Sequence, residues 1–261
     1  ILQKDLRINM VNISQVFITE GNEPLPALFE ESSSTVKKYL KNCNYHLYNH
    51  DELKDFIHEN FPKEVFNSFL KLNPFSYKAD LAYYCLGYLK GGWFVDISIK
   101  IKLGLNMEAL PNIDFLGFRD YGQGAIHPGT LHYPLQASLF YTKPNNQIMA
   151  KAIEIIIENC KNEYYGLTSS CPTGPSVLGR AQSQLGTSKK HFIGFFMPLT
   201  FQFNQKNRSY ILPTGDIFAV HKDTWLPNAA GGDISVFGAK GTNNHLQMYA
   251  NKTIYDHTIK I

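Results

Sequence analysis

Residues 74–99, PFSYKADLAYYCLGYLKGGWFVDISI, constrain the fold more than any other stretch of this chain. Pro74 suits the start of a helix, where its missing N–H would have no intrahelical partner. Gly91-Gly92 suit the end, where the backbone turns left-handed. Between these signals Tyr77, Asp80, Leu81, Tyr84 and Tyr88 recur at helical steps and share one face. WFVDI follows as an unbroken apolar run, the pattern of a strand buried on both faces. A helix feeding directly into a doubly buried strand is a unit of an α/β fold.

The rest of the chain repeats that alternation. SQVFIT (14–19) reads as a first buried strand, followed by the turn-rich GNEPLP. Residues 30–42 fit a helix with Ser32, Ser33 and Ser34 as candidate N-caps. NYHLYN (44–49) reads as a second strand, and Asp51 as the cap of a helix through Phe56 and Ile57. Further helices are expected near 63–72, 145–159 and 175–182, and further strands at 112–120, 136–142, 191–196 and 216–220. No repeat, low-complexity tract or linker interrupts the 261 residues, so one α/β domain is expected over 1–261.

A formal net charge of +3 is too small to imply a nucleic-acid partner. Cys43, Cys85, Cys160 and Cys171 form no Cys-x-x-Cys pair, which disfavours a zinc site and points to free buried thiols in a reducing compartment. No apolar run has transmembrane length, and the start ILQKDLRINM lacks the features of a signal peptide. The chain does not begin with Met, so a removed segment stays open. A cytoplasmic protein is expected, with peripheral contact at the inner face of a membrane as the most membrane association the sequence supports.

Chemistry concentrates at the end of the WFVDI strand. Ligands of open α/β sheets bind beyond the carboxyl ends of the strands. A carboxylate placed there, Asp96, can hold a hard cation through oxygen. Ser98 lies on the same side if the strand continues, and adds a hydroxyl ligand without charge. The alternative is that Asp96 caps a loop and Ser98 is incidental. Asp80, on the aromatic-rich helix, needs polar partners. No nucleophile elbow, Gly-x-Gly-x-x-Gly or P-loop occurs.

KADLAYYCLGYLKGGWFVDISI (78–99) resembles glycosyltransferase family 32, which includes fungal Golgi mannosyltransferases and bacterial polysaccharide transferases. The large clostridial glucosylating toxins have a related arrangement. The family pattern is Arg/Lys-Ala-Asp-Leu-x-Arg-Tyr, an apolar helix, Gly-Gly, then an apolar strand ending Asp-x-Asp. It is matched without gaps at Lys78, Asp80, Leu81, Tyr84, Gly91, Gly92 and Asp96. ISQVFIT with EPLP, NYHLYNHDEL, SLFYTKPNNQIMAKAIEIIIEN and TGPSVL resemble further family segments, so the likeness covers most of the chain. Two positions depart from the pattern: its second Asp is Ser98, and its Arg after Asp-Leu-x is Tyr83. The first weakens metal binding. The second removes a fixed cation, leaving Lys78 and the metal to neutralise phosphate.

The resemblance implies a GT-A-like single domain with a Rossmann-like nucleotide-binding core and a mixed central sheet. Residues from about 10 to 100 would bind the nucleotide sugar, and about 101 to 261 would form the acceptor side and a closing C-terminal loop. It implies transfer of a hexose-type sugar, with retention of configuration, from a nucleotide diphosphate donor, UDP ahead of GDP. The acceptor would be a glycan or lipid-linked oligosaccharide of surface polysaccharide synthesis, such as O-antigen or capsule. Gln15 and Phe17 would lie beside the base, with Phe17 either stacking there or packing in the core. Tyr77, Lys78, Asp80, Tyr83 and Gly92 would line the donor, and Asp80 would accept from sugar hydroxyls. Asp96 and Ser98 would hold Mn²⁺ or Mg²⁺, with Asn244 and His245 from the mobile loop GTNNHLQMY, which also carries Asn243. His221, ahead of Trp225, rivals that loop for the third metal contact. Asp80 and Asp96 would carry catalysis. The Gly/His/Tyr-rich loop with Asp120, Tyr121, His127 and His132 would either offer a surface to a sugar acceptor or be an ordinary surface loop. Two other readings stay open: a non-catalytic sugar-nucleotide or glycan-binding relative, and a toxin-like transferase that modifies a protein.

Overall fold

The computed structural model describes residues 10–105, 112–121, 133–199, 207–225 and 233–261. Its strands are β1 (Val11–Val16), β2 (Cys43–Tyr48), β3 (Gly92–Val95), β4 (Lys100–Ile101), β5 (Phe115–Asp120), β6 (Leu139–Thr142), β7 (His191–Pro198), β8 (Arg208–Ile211) and β9 (Ile217–Val220). Its helices are α1 (Ala27–Tyr39), α2 (His50–Asn60), α3 (Lys63–Lys71), α4 (Phe75–Leu89), α5 (Gln147–Lys161), α6 (Pro175–Leu185) and α7 (His245–Ala250). Among the described residues the strands form one 9-stranded mixed sheet, in the order β2-β1-β3-β6-β5-β7-β8-β9-β4. β2, β1 and β3 run parallel, and β3 then meets β6 antiparallel.

The α4–β3 unit is built as its sequence expects. Pro74 precedes the first turn of α4, and β3 is buried along its whole length. Trp93 and Val95 enter the core beneath α1, with Val36, Tyr141 and Phe218. Phe94 enters the opposite core, with Leu53, Phe69, Leu81 and Phe140. Each such side chain stabilises the fold by roughly 1.5–3 kcal/mol, so β3 is clamped from both sides. Gly92 is required for a steric reason: at φ +107, a Cβ there would lie 2.2 Å from the Asn12 carbonyl oxygen of β1.

Other local expectations shift. β1 begins at Val11 and ends at Val16, so Phe17–Thr19 lie beyond the strand rather than in it. α1 begins at Ala27, placing Ser32, Ser33 and Ser34 inside the helix instead of at its cap. Ser32 is buried there because its hydroxyl donates to the carbonyls of Phe29 and Ile97. Asn49, not Asp51, caps α2: its Oδ1 accepts from the Glu52 N–H, and the Glu52 carboxylate accepts from the Asn49 N–H, both at 2.9 Å. β4 and β8 carry no sequence expectation.

Candidate active site

The carboxyl ends of β1 and β3 open into a cleft of two adjoining lobes, each of about 250 Å³. Ser76, Gln136, Ser138, His221, Lys222 and His245 line both. Phe17, Asp96 and Ser98 line the first lobe, and Tyr77, Asp80, Ser170 and Gly174 the second.

Asp96 is the first residue after β3, and its N–H donates to Ser138 O at 2.7 Å. Its Oδ1 accepts from the Ser98 N–H at 2.8 Å and from the Ser98 hydroxyl at 2.5 Å. The strand therefore does not continue to Ser98. The chain turns, and one Asp96 oxygen closes the turn while the residue lines the cleft. Ser98 is held from its other side by Trp225, whose Nε1 donates to Ser98 O at 3.2 Å.

Asp80 projects from α4. Its Oδ2 accepts from the Thr173 hydroxyl at 2.8 Å, and a Cβ on Gly174 would lie 3.4 Å from the same oxygen. Tyr84 donates to Thr173 O at 3.2 Å, so the Thr-Gly-Pro segment folds against Asp80. Burial, opposed by the Thr173 hydrogen bond and helped by the Asp96 charge, raises the Asp80 pKa to about 7. Thr173 was not among the expected site residues, although the Thr-Gly-Pro motif pointed to its segment.

The other expected donor residues divide. Phe17 packs in the core with Phe29, Ile97 and Phe237 and also lines the first lobe. Tyr77 lines the second lobe, with its hydroxyl donating to Ser169 O at 2.5 Å. Gln15 is buried beneath the cleft: Oε1 accepts from the Tyr45 hydroxyl at 2.8 Å, and Nε2 donates to Val95 O at 3.2 Å. Tyr83 is buried too. Its hydroxyl accepts from the Val16 N–H at 3.1 Å and donates to Val95 O at 3.3 Å, bridging β1 and β3 instead of facing a donor. Lys78 lies about 100° around the helix from Tyr77 and points away. Its ammonium donates to Phe69 O at 2.5 Å and Leu70 O at 3.2 Å, at the end of α3. Burial lowers its pKa to about 8. Gly92 serves the approach of β3 to β1, not the donor.

The expected metal ligands do not converge. Asn244 Oδ1 caps α7, accepting from the N–H groups of Leu246 at 3.0 Å and Gln247 at 3.2 Å. Asn243 accepts from the Phe75 N–H and donates to Asn73 O, both at 3.0 Å, which pins the loop expected to be mobile. His245 lines the cleft, and burial with the nearby Lys222 charge lowers its pKa to about 4. His221 Nδ1 lies 3.2 Å from Asp223 Oδ1 and caps the 3-10 turn Lys222–Thr224. Among the described residues no group of three or more His, Cys, Asp and Glu side chains is placed to hold a metal ion. Asp96 and a hydroxyl already donated to it fall short of the oxygen-rich set a resident Mn²⁺ or Mg²⁺ takes. The residues present do not fit a resident ion held by protein groups alone.

Lys222 is a cleft residue that the sequence does not single out, though it follows His221 directly; Ser76, Gln136, Ser138 and Arg208 are others. On the acceptor side Asp120 is buried, not displayed in a loop. Its Oδ2 accepts from Gln136 Nε2 at 2.6 Å, and Gln136 Oε1 in turn accepts from the Ser138 hydroxyl at 2.8 Å. Tyr121 is exposed beside Phe195. His127 and His132 lie outside the described residues. All four cysteines are free, but only Cys85 and Cys160 are buried as expected; Cys43 and Cys171 are partly exposed. No helix among the described residues is long and apolar enough to cross a membrane.

No protein-family model matches the chain, and no curated protein matches it. A solved structure described as PaToxG Glycosyltransferase superposes with a TM-score of 0.51, covering 67% of this chain and 69% of that one at 15% sequence identity. The chain has a glycosyltransferase fold. A glycosyltransferase involved in the glycosylation of the major capsid of PBCV-1 overlaps with a TM-score of 0.32, at 10% identity over 60% of this chain and 70% of that one, too loose a match to argue from. The mixed sheet and its strand-end cleft agree with the expected GT-A-like single domain. The likeness is one of fold, and membership of glycosyltransferase family 32 does not follow from it.

Proposed function

We propose that this chain is a glycosyltransferase that moves a hexose-type sugar from a nucleotide diphosphate, UDP ahead of GDP, to a glycan acceptor of surface polysaccharide synthesis, with retention. One observation carries the reading. Two carboxylates, Asp80 and Asp96, stand on adjoining lobes of one cleft at the carboxyl edge of the sheet, in a chain with a glycosyltransferase fold. Phe17 offers an apolar face on the Asp96 side, where base and ribose would enter. Asp80 commits one oxygen to Thr173 and keeps the other for sugar hydroxyls. A carboxylate beside the sugar favours the positive charge that develops there as the diphosphate leaves. A transferase that modifies a protein would use the same donor cleft and differ in its acceptor.

Calorimetric titration with UDP- and GDP-sugars, on wild type and Asp80→Asn, tests the donor site. Saturable binding of one nucleotide series is expected, weakened about tenfold or more in the variant, which corresponds to about 1.4 kcal/mol. Release of free nucleotide diphosphate on turnover separates a transferase from a non-catalytic binder. A folded protein that binds no nucleotide sugar overturns the proposal.

A further inference from the structure

We propose that Lys222, in place of a bound divalent metal, neutralises the diphosphate of the donor, so that this cleft takes its nucleotide without metal. The inference rests on the nucleotide-sugar reading above and concerns how the same site handles phosphate charge. The family resemblance assigns that charge to Lys78 and to an ion on Asp96. The ammonium of Lys78 is spent on carbonyls at the end of α3, and the groups around Asp96 do not make up a metal site. A diphosphate entering beside Asp96 would therefore meet a carboxylate, and some other cation has to offset it.

Lys222 has the required position. It lines both lobes, at their junction, and its charge interacts with Asp96, Asp233 and His245. The turn that carries it is anchored from behind. Asp223 accepts from Arg208 Nε at 2.5 Å, and Trp225 Nε1 reaches Ser98 O at 3.2 Å. That second bond joins the Lys222 turn to the Asp96–Ser98 turn, so the ammonium and the carboxylate are held in one frame. Arg208, which lines the second lobe, is ion-paired to Asp223 through its Nε, and Lys100 is paired with Glu31 at 2.6 Å. No hydrogen bond or ion pair among the described residues holds the Lys222 ammonium. It is a compact charge with three donors, suited to phosphate oxygens. As the anomeric C–O bond breaks, its electron pair stays on the diphosphate oxygen. The acceptor hydroxyl forms the new bond to the anomeric carbon, and its proton leaves with the diphosphate. Lys222 offsets the charge that builds on that oxygen.

The test is calorimetric titration of UDP and of GDP, each in EDTA and in Mn²⁺, on wild type, Lys222→Met and Lys222→Arg. Wild type is expected to bind one of the two diphosphates in EDTA, with Mn²⁺ changing the affinity by less than about twofold. Lys222→Met should weaken binding about 30-fold while keeping the wild-type denaturation midpoint, and Lys222→Arg should restore most of the loss. Wild-type binding that requires Mn²⁺, or Lys222→Met binding within about twofold of wild type, overturns the role of Lys222 and leaves the donor cleft standing. Failure of wild type to bind either diphosphate under both conditions overturns the nucleotide-sugar reading itself, and this inference with it.

Discussion

Replacing Asp80 by Asn separates what the carboxylate does for the site from what it costs the fold. Burial of Asp80 raises its pKa from 3.8 to about 7, with the Asp96 charge adding to the rise and the Thr173 hydroxyl opposing it. The folded state therefore holds this proton more tightly than the unfolded chain does. Stability from the bound proton is complete below about pH 4 and is lost as pH rises through about 7. Each pH unit in that window removes about 1.36 kcal/mol, so the loss between about pH 5 and pH 8 is about 3 kcal/mol. Asn keeps the size of the side chain and can accept from Thr173, but it does not ionise. Urea denaturation of Asp80→Asn and wild type at both pH values measures the effect, because every other titrating group is common to both proteins. The variant should gain about 3 kcal/mol on wild type between pH 5 and pH 8 while losing sugar transfer. A stability gap that stays constant across that range would refute the reasoning, since it would mean that the Asp80 carboxyl titrates as an ordinary hydrated group.

Three further outcomes follow from the same geometry. Tyr83→Phe leaves the buried Val16 N–H without its acceptor and should cost about 1–3 kcal/mol in denaturation, with nucleotide affinity unchanged; a loss of affinity at unchanged stability would return Tyr83 to the donor site. Gly92→Ala places a Cβ against the Asn12 carbonyl at a left-handed backbone position, so a destabilisation of at least about 3 kcal/mol is expected from the denaturation midpoint. Ser98→Asp adds a second carboxylate beside Asp96 and should create Mn²⁺ binding that wild type lacks, read by electron paramagnetic resonance. Equal Mn²⁺ signals in the two proteins would contradict the account of the wild-type cleft.

Much of the fold is legible locally. Proline at the start of α4, glycines at its end and an unbroken apolar strand are short-range signals, and each is decided by backbone sterics or by burial of a few neighbouring residues. The strand-end carboxylate is legible for the same reason, because a buried β3 has to release its chain at the sheet edge. Misreadings arise where two local signals compete. Ser32, Ser33 and Ser34 have the chemistry of helix caps, yet the carbonyl of Ile97, 65 residues away, satisfies Ser32 inside α1. Asp51 and Asn49 are both capping residues, and only the reciprocal pair with Glu52 selects Asn49.

The sequence by itself determined the α/β alternation, the α4–β3 unit and the placement of Asp80 and Asp96 as candidate site carboxylates. Only the tertiary structure decided which polar groups serve that cleft. Lys78 and Tyr83 share the helix that carries Asp80, but α3 and the ends of β1 and β3 capture their polar atoms. Lys222 joins the cleft through a turn tied across 127 residues by the Trp225–Ser98 hydrogen bond. Local sequence sets backbone conformation through short-range sterics, whereas the direction and charge partners of a side chain depend on contacts with segments far away in the chain.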